Sequence, residues 1–281
     1  MSSMQITGLY IYPVKSMRGI SMSSASLTPK GLDHDRRWMV IRENGRFVTQ
    51  RDLPQLALIE TGLTEDGIML TREGHGSIPV PTRPIAGKRM STKVWGDPCE
   101  VIDLGEDISG WLTSALNSKE RLRLVRMAPE FIRPQSQPEL LGENTTTAFA
   151  DAAPFLVANE ASLEALNGEL ESRGHDTVPM NRFRPNIVVR GLEAFAEHRI
   201  SELCSDNYRL KFRHPCQRCV VTTIDQQTAV KSPDWQPYKT LRDLNPMPGN
   251  ERAPAFAQNA TLAHGDGQTI SVGDAAWRGT T

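Results

Sequence analysis

Two turn signals set the limits on this chain. Asn44-Gly45 and Asp66-Gly67 place residues tolerant of positive φ between short runs of β-branched or mixed apolar residues, the strongest short-range mark of a β-hairpin. The runs are 5–12, 37–42, 46–50, 56–63 and 67–72, all of strand length. A third turn is expected at Gly96-Asp97-Pro98, between runs 93–95 and 99–104. Small β modules of this kind close into a barrel or sandwich.

A helix follows. Ile108, Trp111, Leu112, Ala115 and Leu116 share one face, with Glu106 and Asp107 at the amino end, where the helix dipole favours acids. Residues 121–127 read as a strand, and 128–144, rich in Pro, Gln and Glu, as a connecting loop. A second helix is expected over 159–173, where Ala161, Leu163, Leu166 and Leu170 form a rough stripe. Strands are expected at 186–190, 208–212, 220–224 and 269–272, and 231–259, with five prolines, as a long ordered loop. The class is therefore mainly β with a few helices (α+β), in two β-rich units, 1–127 and 128–281.

At 281 residues the chain is long enough to bury its core without staples. Its 32 Lys+Arg against 33 Asp+Glu leave a net charge of −1, which argues against a nucleic-acid partner. The longest apolar runs, such as 154–158, are far too short to cross a bilayer, so no membrane partner is expected. Residues 1–8 have neither a basic start nor an apolar stretch, and the four cysteines are too few for a disulfide scaffold. The expected location is cytoplasmic.

The sharpest chemical feature is His214-Pro-Cys216-Gln-Arg-Cys219. Thiols at C-x-x-C spacing suit half a zinc site, a redox dithiol, or one metal-ligand thiolate with a neighbour; they are also compatible with two cysteines buried beside a loop. A thioredoxin-like pair opens a helix, whereas here a strand is expected to follow. Arg213, His214 and Arg218 favour a thiolate, which makes a soft-metal ligand chemically reasonable. Between residues 182 and 218 eight Arg/Lys face four acids, a local surplus that points to a small anionic ligand. Arg184-Pro-Asn186 offers a guanidinium fork and an amide about a fixed φ. Tyr12-Pro-Val-Lys15-Ser16 offers an ammonium and a hydroxyl but lacks the glycines of a nucleotide-binding loop. Arg36 adds another cation.

Six segments then fall in order: Ile11-Tyr-Pro-Val-Lys-Ser16, Asp35-Arg-Arg-Trp38, Phe149-Ala-Asp-Ala-Ala-Pro154, Phe183-Arg-Pro-Asn186, Cys216-Gln-Arg-Cys219-Val-Val-Thr-Thr-Ile-Asp225 and Ile270-Ser-Val-Gly-Asp274. The set resembles MOSC-domain proteins with a β-barrel N-terminal region (MOSC_N), and within them the amidoxime-reducing components and their bacterial relatives. The resemblance implies a MOSC_N-type domain over 1–127, with residues 1–36 helping to complete the second barrel, and a MOSC domain over 128–281. It also implies the molybdenum cofactor (Mo-molybdopterin), with Cys219 as the metal ligand. Contacts to the pyranopterin and its phosphate would map to Lys15, Ser16, Arg36, Arg184, Asn186, Gln217 and Arg218. Ala152, Ala153 and Asn259 would also border the cofactor, with Asp151 as a proton relay.

The activity implied is reduction of small N-hydroxylated substrates (amidoximes, hydroxylamines, N-hydroxylated bases) to amines. The alternative is a cofactor carrier or sulfur-transfer protein using a Cys219 persulfide. No cysteine follows Cys219, so no iron–sulfur cluster of the ferredoxin type is expected in this chain. Electrons are expected from a separate flavoprotein, ferredoxin or cytochrome b5-like donor. Two positions depart from the family pattern. Asp225-Gln-Gln-Thr-Ala229 lacks the family's Pro-Asp/Glu-Thr-Gly turn, and Asn259 replaces a tyrosine. Asp225 itself is expected to be structural.

Overall fold

The computed structural model describes residues 4–82, 87–133 and 137–279. The expected class holds: strands dominate, with helices at Glu106–Ala115, Pro138–Leu141, Glu160–Ser172 and Tyr238–Leu244 among the described residues.

One sheet closes on itself. In ring order its strands are Phe155–Asn159, Ile187–Arg190, Met4–Ile11, Ala275–Arg278, Glu202–Cys204, Arg209–Gln217 and Asn250–His264. Closure comes from Phe155 opposite Ala260, Leu156 opposite Asn259 and Val157 opposite Gln258, which removes the unpaired edges of an open sheet. The pairing of Phe155–Asn159 with Ile187–Arg190 is parallel. Such a pair needs a crossover, and the helix Glu160–Ser172 supplies it, its first turn capped by the Asn159 side chain accepting from the Ala161 N–H at 3.3 Å. Ile6, Leu9, Ile11, Val157, Ile187, Val189, Leu210 and Phe212 meet inside. The first strand thus lies in the same sheet as strands from beyond residue 150.

A second body holds an antiparallel sheet in the order Trp38–Arg42, Leu122–Met127, Asp97–Asp103, Arg89–Val94. Beside it lie the meander Glu60–Thr64, Gly67–Arg72, Gly76–Pro81 and the helix Glu106–Ala115. Val40, Ile68, Leu70, Val80, Ile108, Leu112 and Leu124 fill its core. The chain passes between the bodies through a seam. There Lys15 N–H donates to the Trp38 carbonyl at 2.9 Å and Arg36 N–H to the Tyr12 carbonyl at 2.8 Å.

Several expectations need correction. Residues 46–50 make only isolated bridges, Ile41 with Phe47 and Arg46 with Lys93, although Gly45 does supply a positive φ of 81°. The second turn is Glu65-Asp66: Gly67 opens the next strand, paired with Thr64, and a Cβ there would lie 2.1 Å from the Val80 carbonyl oxygen. Close approach of the neighbouring backbone, not φ, demands that glycine. The third turn is Trp95-Gly96, because Val94 pairs with Asp97. Residues 220–224 form the 3-10 turn Val220–Thr223 rather than a strand. The Thr222 and Thr223 hydroxyls donate back to the Cys219 and Val220 carbonyls at 3.0 and 2.7 Å, a local bond that competes with extended pairing. The supposed loop 231–259 contains the helix Tyr238–Leu244 and most of the strand Asn250–His264. Its prolines and small or amide residues have poor strand propensity; burial over residues 253–261 overrides it. Of the expected connection 128–144, residues 134–136 lie outside the described residues, and the rest includes the short helix Pro138–Leu141.

Candidate cofactor cleft

An open cleft of about 820 Å³, mouth included, lies where the seam meets the barrel rim. Every expected site residue lines it except Gln217. Gln217 stands apart from them: it ends its strand exposed, and its Oε1 accepts from Asn250 Nδ2 at 3.0 Å. Alternation along the strand sends Cys216 to the cleft and Gln217 away from it.

Cys219 begins the 3-10 turn and is exposed, with its thiol bound by no other described residue. The motif therefore sits at the end of a strand and opens a short helical turn, contrary to the order expected. Of the cations expected to favour a thiolate in this motif, Arg218 lies against Cys216. Arg218 Nη1 lies 2.9 Å from Cys216 Sγ, and Nη2 donates to the Phe183 carbonyl at 2.8 Å. Arg213 is engaged elsewhere, donating to Thr261 Oγ1 at 2.8 Å. Of the eight cations between 182 and 218, Arg184 and Arg218 line the cleft.

The cations from the seam complete the cluster. Arg36 and Arg184 lie over the Tyr12 ring at 4.4 and 4.2 Å, sharing one aromatic partner. Arg36 also binds Asp35 at 2.6 Å and the Arg184 carbonyl at 3.2 Å. Arg184 Nη1 donates to the Met17 carbonyl at 2.7 Å. Burial lowers the Arg184 guanidinium to about 10 and pushes the Tyr12 phenol up to about 12. Ser16, Arg36 and Arg184 all have left-handed backbones, φ 69°, 47° and 52°. Each such residue with a Cβ costs about 1–2 kcal/mol, and strain of this kind gathers at ligand clamps. Asn186 is tied into the barrel, its Oδ1 accepting from Leu156 N–H and its Nδ2 donating to the Tyr10 carbonyl, both at 3.2 Å. Asn259 stands beside His214, 3.5 Å from Nδ2 to Nδ1.

Lys15 is 4% exposed and donates to Asp151 Oδ1 at 2.6 Å and to the Phe149 carbonyl at 2.9 Å. Burial pulls its ammonium below the usual lysine range, opposed by Asp151. The Asp151 side chain is 66% exposed. The crowded walls act to raise its carboxyl, but Lys15, then the Trp95 indole N–H and Arg36, outweigh them and hold it well below the usual carboxylate range.

Several residues of the site escaped the sequence reading. Trp95 Nε1 donates to Asp151 Oδ1 at 2.7 Å from a left-handed turn position, φ 59°. A tryptophan beside Gly96, where hairpin turns favour Asn or Asp, was the available signal. Arg133, inside a stretch without pattern, grips Asp97 Oδ2 through Nε and Nη2 at 2.9 and 2.7 Å and donates to the Ala150 carbonyl at 2.7 Å. It thereby fixes both the Trp95 turn and the loop bearing Asp151. Gln50 and Gln226, buried, exchange two amide bonds of 2.9 Å across the seam; neither sits in any local motif. Asp225 caps its own turn, Oδ1 accepting from the Gln227 and Thr228 N–H groups at 2.9 Å, and Oδ2 binds Arg182 at 2.8 Å.

The residues suit an anionic, acceptor-rich ligand. Arg184 Nη2 and Arg218 Nε are buried with no hydrogen-bond partner among the described residues, donors that a phosphate or a heterocycle edge would satisfy. An exposed thiol, of a type chemically suited to a soft metal, stands in the same cleft.

Comparison with known proteins gives the family. Residues 3–119 match the MOSC N-terminal beta barrel domain and residues 130–276 the MOSC domain. The Mus musculus protein named mitochondrial amidoxime-reducing component 1 is 36% identical over 282 residues, covering 96% of this chain and 80% of its own length. The Homo sapiens protein of that name is 36% identical over 284 residues, covering 96% and 81%. A Danio rerio molybdenum cofactor sulfurase is 34% identical over 257 residues, which is 86% of this chain but 30% of that protein. The chain belongs to the MOSC family, in the group that carries the MOSC N-terminal barrel domain and includes the amidoxime-reducing components.

Proposed function

We propose that the cleft holds the molybdenum cofactor through Cys219 and that the protein reduces small N-hydroxylated compounds (amidoximes, hydroxylamines and N-hydroxylated bases) to amines. The reaction takes two electrons and two protons, breaks the N–O bond and releases water. The observation that carries this reading is the meeting of an exposed Cys219 thiol with Lys15, Arg36, Arg184 and Arg218 in one cleft, two of the guanidiniums having unpartnered donors. When bound, the group supplies two-electron redox chemistry coupled to removal of an oxygen atom.

The protein's own residues do the rest. Cys219 anchors the metal. Arg184 and Arg218 offer their spare N–H groups to the acidic tail or ring edge, and Arg36, Lys15 and Ser16 complete a positive wall. Asn186, Ala152, Ala153 and Asn259 shape the remaining sides. Asp151, held ionised by Lys15 at the exposed mouth, is the proton relay of this reading: its carboxylate orients solvent molecules that carry protons inward without itself storing one. Electrons come from a separate donor protein of the flavoprotein, ferredoxin or cytochrome b5 kind. All four cysteines are free, which suits a reducing compartment, so the cytoplasm is the location we propose.

The test is molybdenum and pterin content after expression in a cofactor-competent host, followed by benzamidoxime reduction with reduced methyl viologen. Metal-loaded protein that turns over supports the reading. Absence of both metal and turnover rejects it. The match to a cofactor sulfurase favours a second reading, a carrier or sulfur-transfer protein with a Cys219 persulfide. That reading predicts a cofactor lost on gel filtration and no reductase turnover.

A further inference from the structure

The reduction proposed above leaves one built feature unused. Trp95 is 51% exposed, yet its backbone is left-handed and its indole N–H is fixed to Asp151 at 2.7 Å. Phe47 meets it edge-on at 5.2 Å and 78°. Arg51 lies over its face at 4.4 Å, and the Arg51 side chain has neither a hydrogen bond nor a carboxylate partner among the described residues. Nearby Arg46 differs, being paired with Asp52 at 3.3 Å. Thr49 and Arg51 line both the cleft and the hollow under Trp95, so the two spaces are neighbours that share these side chains as a wall.

We infer that Trp95 and Arg51 form a substrate-reading shelf at the cleft mouth, selecting flat aromatic N-hydroxylated compounds that carry an anionic substituent. The inference rests on the proposed reduction for the reacting group, but the shelf's chemistry is its own. An exposed indole held rigid on both backbone and ring is a surface on which another ring stacks. Arg51, bound only by stacking, swings off the indole as the ring takes its place. Its guanidinium then meets the acid group at the ring's outer edge, where a planar fork binds carboxylate or phosphate bidentately. The N-hydroxy end points past Asp151 into the cleft.

The experiment compares benzamidoxime with its 4-carboxy and 4-phosphono derivatives on the purified holoprotein, reading Kd by calorimetry and KM and kcat by turnover. The anionic ligands bind the wild type about tenfold tighter, the effect of one charge-assisted pair. Arg51→Gln brings that ratio close to one, Trp95→Leu weakens all three ligands, and Trp95→Phe recovers most of the loss. Whichever derivative binds tighter names the anion. A wild type without preference for either anion overturns the inference, as does a preference that survives Arg51→Gln. Arg51-dependent binding without turnover keeps the shelf and rejects the reduction; turnover without that preference keeps the reduction and rejects the shelf.

Discussion

The two sides of the cleft are built on opposite plans. On the barrel side Arg184, Arg218 and Asn186 are tied to backbone carbonyls or amides, leaving few free donors. On the outer rim Trp95 and Arg51 stand exposed, and Arg51 is held by one ring contact. Fixed donors lose little entropy on binding and suit one resident ligand. A loosely held rim suits ligands that come and go. The contrast separates a wall for the cofactor from an edge for substrate.

Its sharpest test lies within the barrel side. Cys219→Ala removes the proposed ligand and is expected to lower benzamidoxime turnover by roughly a thousandfold or more. Cys216→Ala, which removes one of the two contacts of Arg218 and leaves that to the Phe183 carbonyl, is expected to stay within about tenfold, as outer contacts to a metal ligand do. Equal losses in the two variants break the distinction between the thiols. Next, Arg184→Gln is expected to destabilise the fold by about 1–3 kcal/mol in urea unfolding, since buried carbonyl contacts go unmade, and to lower molybdenum occupancy. Arg51→Gln on the rim is expected to stay within about 0.5 kcal/mol with full occupancy. Similar effects at both positions would erase the contrast.

A smaller effect reads the Lys15–Asp151 pair. A carboxyl whose folded pKa is depressed adds stability above its unfolded pKa, and that stability is lost as pH falls through the folded value. Asp151 is such a group. Wild type is therefore expected to exceed Asp151→Asn in thermal stability at neutral pH, and the two curves to converge only in strong acid, below the ordinary carboxylate range. A gap that persists unchanged there points to packing instead of the ion pair. Smallest of all, Gln217→Ala is expected to change stability by under about 0.5 kcal/mol and to leave metal content as it was, because the side chain faces away from the cleft.

Much of this was visible in local pattern. Amphipathic spacing marks the helices Glu106–Ala115 and Glu160–Ser172, and the motif segments mark nearly all of the expected lining. What stayed hidden depends on contacts far apart in sequence. The strand Asn250–His264 is extended because the barrel must close on Phe155–Asn159, not because its prolines, alanines and amides favour strands. Spacing alone leaves Cys216 and Cys219 equivalent; the family resemblance singles out Cys219, and the strand's end and the Arg218 contact add the local difference between them. Arg133 and the Gln50–Gln226 pair position the site through bonds spanning from 17 to 176 residues of sequence, and no motif reports such a bond.

The central claim is that the sulfur of Cys219 binds molybdenum. X-ray absorption at the molybdenum edge of holoprotein tests it without reference to turnover. The account predicts that Cys219→Ser, reconstituted with the same cofactor, shows one sulfur neighbour fewer than wild type. A sulfur shell unchanged between the two proteins contradicts it.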